Sequence, residues 1–218
     1  MLEQLGAEVR AVSGDIADPA TARALADAAA ELGGRSVLVN NAGMSMRGNF
    51  RDIAPEVFST VVETNVVGSA LVTQAFLDQI IRTNGSVVFI SSVTGMTGFP
   101  GISVYAAAKM ALTGLAESLR GELLGSGVHV SVVYLGFTEN DEDKQILSAD
   151  GSNLRLKRRY DMTQREVASA IERAVRRRKE KVVLTWKGTV LRVLQRVSPK
   201  LVSAIVRRSG GRFHQMRH

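Results

Sequence analysis

The chain contains no cysteine, which removes disulfides, thiol catalysis and thiolate metal sites together. Histidine is nearly as scarce: His129, His214 and His218 are the three present, too few and too scattered for a multi-histidine metal site. Aromatic residues make up 5% with a single Trp186, which offers no stacking platform for nucleic acid. No run of uncharged apolar residues reaches the roughly 18 needed to span a bilayer. Met1-Leu2-Glu3-Gln4 lacks the basic and apolar regions of a signal peptide, so a cytoplasmic location is expected.

What is present is ordinary in amount and uneven in distribution. A chain of 218 residues with 45% hydrophobic and 22% charged residues is a globular chain, neither disordered nor fibrous. The net charge of +7 conceals an asymmetry. Residues 1–150 hold 9 Lys and Arg against 17 Asp and Glu, a balance of −8, whereas residues 151–218 hold 19 against 4, a balance of +15. An acidic body and a basic tail region need separate explanations.

Short β-branched runs alternate with longer helical stretches. Strands are expected at Glu8–Val12, Ser36–Val39, Ser86–Ile90, Val128–Val133 and Val182–Leu184. Helices are expected at Pro19–Leu32, from Pro55 to about Arg82, at Ser103–Leu124, and from Thr163 to about Lys179, where Thr163 and Glu166 have capping spacing. Continuous apolar strands separated by crossover helices predict an α/β fold with a doubly wound parallel sheet, Rossmann-like. Ligands of such sheets bind at the carboxyl ends of the strands. Asp15, Asn40–Gly43, Ser91–Ser92 and Leu135–Thr138 all follow expected strands. The polar stretch 139–161 is long for a connection and reads as a lid over a site.

Tyr105 and Lys109 are four residues apart on one expected helix, so both side chains leave the same face. A phenol is a poor base at neutral pH, and a neighbouring ammonium stabilises its phenolate enough to serve an alcohol/carbonyl pair. Ser92 ends a strand thirteen residues before Tyr105, in position to bind the same substrate oxygen. Asn65 stands mid-helix, where a buried amide distorts the helix or holds a water.

Asn40-Asn41-Ala42-Gly43, Asn65, Ser92 and Tyr105-Ala106-Ala107-Ala108-Lys109, in that order and at these spacings, resemble the short-chain dehydrogenase/reductase family over about residues 5–185. The resemblance implies an oxidoreductase that interconverts a secondary alcohol and a ketone or aldehyde with NADP or NAD, on a small-molecule substrate that the family's members with basic tails allow to be lipid-like. It implies Tyr105 as catalytic acid/base and Lys109 on the nicotinamide ribose. Ser92 would orient the substrate oxygen, and Asn65 would hold the water of a proton relay. Asn41, Ala42, Gly43, Gly136 and Thr138 would line the cofactor, Asp15 and Ile16 would flank its adenine, and Asn40 would brace adjacent strands. It also implies a homodimer or homotetramer through the helices 55–82 and 103–124.

Two departures from that family are visible. Leu135 stands where the family has proline, and Asn140 where a threonine is common. No Gly-rich turn of the Thr-Gly-x-x-x-Gly-x-Gly kind occurs, so a chain missing its first βαβα unit is expected, with weakened dinucleotide binding. A catalytically impaired chain acting as a binding or membrane-associated scaffold is therefore the alternative expectation.

Residues 1–185 thus read as the Rossmann-like domain and 186–218 as a basic amphipathic extension. In the latter, Val190, Leu191, Val193, Leu194 and Val197 alternate with Arg192 and Arg196, and Leu201, Val202, Ile205 and Val206 follow Ser198-Pro199. Such helices either pack on the body or a second subunit, or lie on an anionic membrane through 187–208.

Overall fold

The structure, a computed structural model, describes residues 6–33, 36–139, 141, 144–155 and 159–214, the last six of these by backbone alone. Met1–Leu5, Asn140 and residues 142–143 and 156–158 of the lid stretch lie outside the described residues.

Four parallel strands in the order β1-β3-β4-β7 form the main sheet: β1 (Val37–Asn40), β3 (Ser86–Ser92), β4 (His129–Leu135) and β7 (Lys181–Val183). The side chains of β3 alternate between two apolar layers. Val87 and Phe89 join Val130, Val132 and Tyr134 beneath the helices α3 (Gly68–Arg82) and α4 (Ser103–Glu122), through Ile80, Leu112 and Ala116. Val88 and Ile90 join Val133 on the opposite face, covered by Ile171 and Val175 of α5 (Gln164–Arg176). Burial on both faces explains why these strands read as unbroken apolar runs.

Local chemistry sets the helix ends. Asp18 caps α1 (Pro19–Leu32), its carboxylate accepting from the Ala20 amide at 2.9 Å, with Pro19 in the first turn. Thr163 and Glu166 form the expected capping box at the start of α5. The long helix expected from Pro55 is continuous to Arg82, but α2 (Pro55–Val62) and α3 are joined by a π-helical turn, Glu63–Val67, centred on Asn65.

One expected strand does not form. Glu8–Val12 has no ladder partner among the described residues, and a strand exists only where its main-chain groups are paired. Asp15 consequently follows an irregular segment rather than a strand. On the same side β1 is an edge, with Val37 and Val39 exposed at 47% and 40%.

A second sheet, β2-β5-β6, joins β2 (Met46–Arg47), which follows β1, to β5 (Gln145–Ser148) and β6 (Asn153–Arg155) of the stretch read as a lid. Its hairpin turns through Ala149-Asp150-Gly151. Asp150 accepts from the Ser152 amide at 2.9 Å, and Gly151 takes the positive φ of 86° that a three-residue loop requires. The last elements among the described residues are α6 (Trp186–Val197) and α7 (Pro199–His214).

Candidate active site

At the carboxyl ends of β1, β3 and β4 opens a cleft of about 390 Å³. Among its walls are Asn41, Gly43, Ser92, Tyr105, Lys109, Gly136 and Thr138. Seven of the residues singled out in the sequence thus meet in one place, from loops more than ninety residues apart.

Tyr105 and Lys109 leave the same face of α4, with Lys109 Nζ 5.7 Å from the Tyr105 ring centroid. Lys109 is buried, and its ammonium donates to the Ile90 carbonyl at 2.9 Å. Desolvation, helped by the nearby positive charge of Lys144, lowers its pKa to about 8. The two serines at the end of β3 divide the work. Ser91 donates to the Lys109 carbonyl at 2.9 Å and so ties β3 to α4. Ser92 accepts from the Thr94 amide at 3.3 Å, a long bond that leaves its hydroxyl proton for another partner in the cleft.

Asn65 lies behind this wall, fully buried. Its amide nitrogen donates at 2.8 Å both to the Met44 carbonyl and to the Val61 carbonyl four residues back. This pairing pins the π turn to the loop after β1. The Asn65 carbonyl oxygen has no partner among the described residues. It faces Gly43: a Cβ on residue 43 would sit 2.7 Å from Asn65 Oδ1 and 3.1 Å from Lys109 Nζ. A buried acceptor and an ammonium therefore both border Gly43. Asn65→Ala removes the donor to Met44 and is expected to cost about 2 kcal/mol in urea unfolding. Asn65→Asp should cost at least as much, because it sets a carboxylate oxygen against the Met44 and Val61 carbonyls and buries its charge.

Other expected residues lie apart from the cleft. Ala42 is exposed between Asn41 and Gly43 and does not line it. Asp15 is exposed, accepting from the Ala17 amide at 2.9 Å, and Ile16 packs against Gly68 of α3. Asn40 braces its strand against a helix rather than against a neighbouring strand, donating to Thr73 Oγ1 of α3 at 2.9 Å. Arg47 and Lys144, which no sequence motif marks, also line the cleft. Both stand on the small sheet or at its start, whose only sequence signal is the Asp150-Gly151 turn.

The family model for short chain dehydrogenases matches residues 1–151. The chain belongs to this family. Dehydrogenase/reductase SDR family member 7B of Rattus norvegicus is 34% identical over 204 residues, covering 89% of this short-chain dehydrogenase and 62% of that protein. Oxidoreductase UcpA of Salmonella typhimurium is 39% identical over 135 residues, covering 61% and 51%. The present chain thus spans less than two thirds of these curated relatives. Among solved structures, a short-chain dehydrogenase from Streptomyces avermitilis superposes with a TM-score of 0.75 at 26% identity, covering 93% of this chain and 81% of that one. A gluconate 5-dehydrogenase from Burkholderia cenocepacia, in complex with NADP and tartrate, gives 0.60 at 27% identity, covering 64% and 55%.

The cleft suits the nicotinamide end of a dinucleotide. Glycine stands where the wall comes closest to Asn65 and Lys109, and Asn41, Gly136 and Thr138 offer polar or open main chain.

Proposed function

We propose that this short-chain dehydrogenase interconverts a secondary alcohol and a ketone or aldehyde with NADP or NAD, and that the substrate carries an acidic group. The meeting of Ser92, Tyr105 and Lys109 in one cleft supports the reaction. The nicotinamide, when bound, supplies or accepts the hydride. Ser92 holds the substrate oxygen, and Tyr105 passes the proton to or from that oxygen. Lys109, cationic below pH about 8, favours the phenolate of Tyr105. Asn41, Gly43, Gly136 and Thr138 seat the nicotinamide half, and Asn65 with Lys109 holds the water that returns the proton to solvent.

The charge of the lining supports the substrate class. Among the described residues, the charged ones along the cleft are Arg47, Lys109 and Lys144, all cationic. Burial lowers the pKa of Lys109, so an anion entering the cleft relieves a desolvation cost. The tartrate held by the gluconate 5-dehydrogenase is a hydroxy acid of this kind.

NAD(P)H absorbance with a panel of keto acids and neutral ketones tests both parts. Turnover of neither class at saturating cofactor would reject the oxidoreductase reading. Equal turnover of both would reject the acidic substrate alone. Lys144→Ala is expected to raise KM for an acid about tenfold and leave a neutral ketone's KM unchanged.

A further inference from the structure

The tail helices carry an arrangement that the cleft does not use. Trp186, Val190, Val193 and Val197 of α6 and Leu201 and Ile205 of α7 recur at intervals of four and three, and so form one line along each helix. All six are exposed, Trp186 at 72% and Val197 at 79%. Another side of each helix is seated on the body. Gly188 is buried so closely that a Cβ there would meet Val183 and Val93, and Val202 of α7 is buried at 3%. The stripe therefore faces outward because the other face of the same helices is already packed.

Charge identifies what covers it. From Lys181 to His218 the chain has nine Lys and Arg and no Asp or Glu. Lys187 is tied to Asp161 at 3.0 Å, and Arg192, Arg196, Lys200, Arg207 and Arg208 are exposed on the same two helices. A second copy meeting this stripe about a two-fold axis would bring cations against cations with no acid to receive them. Nucleic acid would use the cations and leave the aliphatic line in water. An anionic bilayer surface uses both: the apolar side chains enter the headgroup boundary, and the long cationic side chains reach the phosphates.

We propose that α6 and α7 bind this protein peripherally to anionic membranes through the Trp186–Ile205 stripe. This reading is independent of the chemistry assigned to the cleft. It also places the cleft near lipid, because Thr185, one residue before the stripe, packs against Gly136 of the cleft wall.

Trp186, the only tryptophan, reports the contact directly. The full chain is mixed with vesicles of phosphatidylcholine alone, or with about a third of phosphatidylserine added. Expected with the anionic vesicles are co-sedimentation, a blue shift of Trp186 emission and loss of both at high salt. Binding to the neutral vesicles should be at least about tenfold weaker. Val193→Asp with Val197→Asp should abolish binding, and Arg192→Gln or Arg196→Gln should weaken it about fivefold each. Phe50→Ser, which removes an exposed aromatic elsewhere, should bind as the parent does. Equal binding by the double aspartate variant overturns the proposal. So does failure of the parent to bind anionic vesicles, or a blue shift that grows with protein concentration when no vesicle is present.

Discussion

Tyr105→Phe is expected to lower kcat about a thousandfold, with KM and stability nearly unchanged. The substitution removes one hydroxyl and keeps the ring. That ring packs against the cluster of Met46, Val57, Val61, Val104 and Ala108, so the helix face retains its apolar contacts. The reaction loses the group that exchanges a proton with the substrate oxygen. Lys109 cannot take over, because its ammonium is turned to the Ile90 carbonyl. Ser92 cannot either, because a serine hydroxyl is far too weak an acid and base at neutral pH. Steady-state NAD(P)H absorbance measures the rate, and urea unfolding verifies that the fold has not changed. A variant that keeps the parent's kcat would remove Tyr105 from the mechanism. A variant that loses kcat and stability together would make it a structural residue.

The separation of kcat from stability matters because this part of the site was legible in the sequence for chemical reasons. Tyr105 and Lys109 are fixed by a helical interval. Ser92 and Gly43 are fixed by following buried strands, and such strands announce themselves as apolar runs. Asn65 was legible as an anomaly, a buried amide in mid-helix; its consequence, a π turn, follows from which carbonyls its nitrogen reaches. Arg47 and Lys144 were not legible, because a two-residue strand has no periodicity and its pairing with β5 is a long-range event. Glu8–Val12 failed in the opposite sense. Its residues have strand propensity, but propensity does not supply the neighbouring main chain that a ladder needs. Asp15 and Ile16 therefore follow an irregular segment, and their expected place beside an adenine rests on the family resemblance.

Lys109 also predicts a pH dependence of stability whose sign is opposite to that of an ordinary salt-bridged lysine. Its pKa is about 8 in the folded chain, below the ordinary value of 10.5, because burial removes water from the ammonium and the charge of Lys144 lies nearby, with no carboxylate partner among the described residues. Between those two values the unfolded chain binds more protons than the folded one, so stability rises with pH across that window. Below pH 8 the whole cost is present, and above 10.5 it is gone. From pH 7 to pH 9.5 the expected gain is about 2 kcal/mol, to be read as the parent's change in urea unfolding minus that of Lys109→Met. Methionine fills a similar volume and does not titrate, so subtraction removes the other groups that ionise in the same range. At pH 7 the methionine variant should be at least as stable as the parent while its turnover collapses. Such an outcome would mean that the fold tolerates a destabilising buried cation because the cleft needs one. An anion held in the cleft should then restore the lysine's proton, so at pH 8.5 binding of a keto acid should take up protons in the parent and none in the variant. A parent whose stability falls between pH 7 and 9.5 relative to Lys109→Met would show that the ammonium has an anionic partner and would remove the electrostatic case for an acidic substrate.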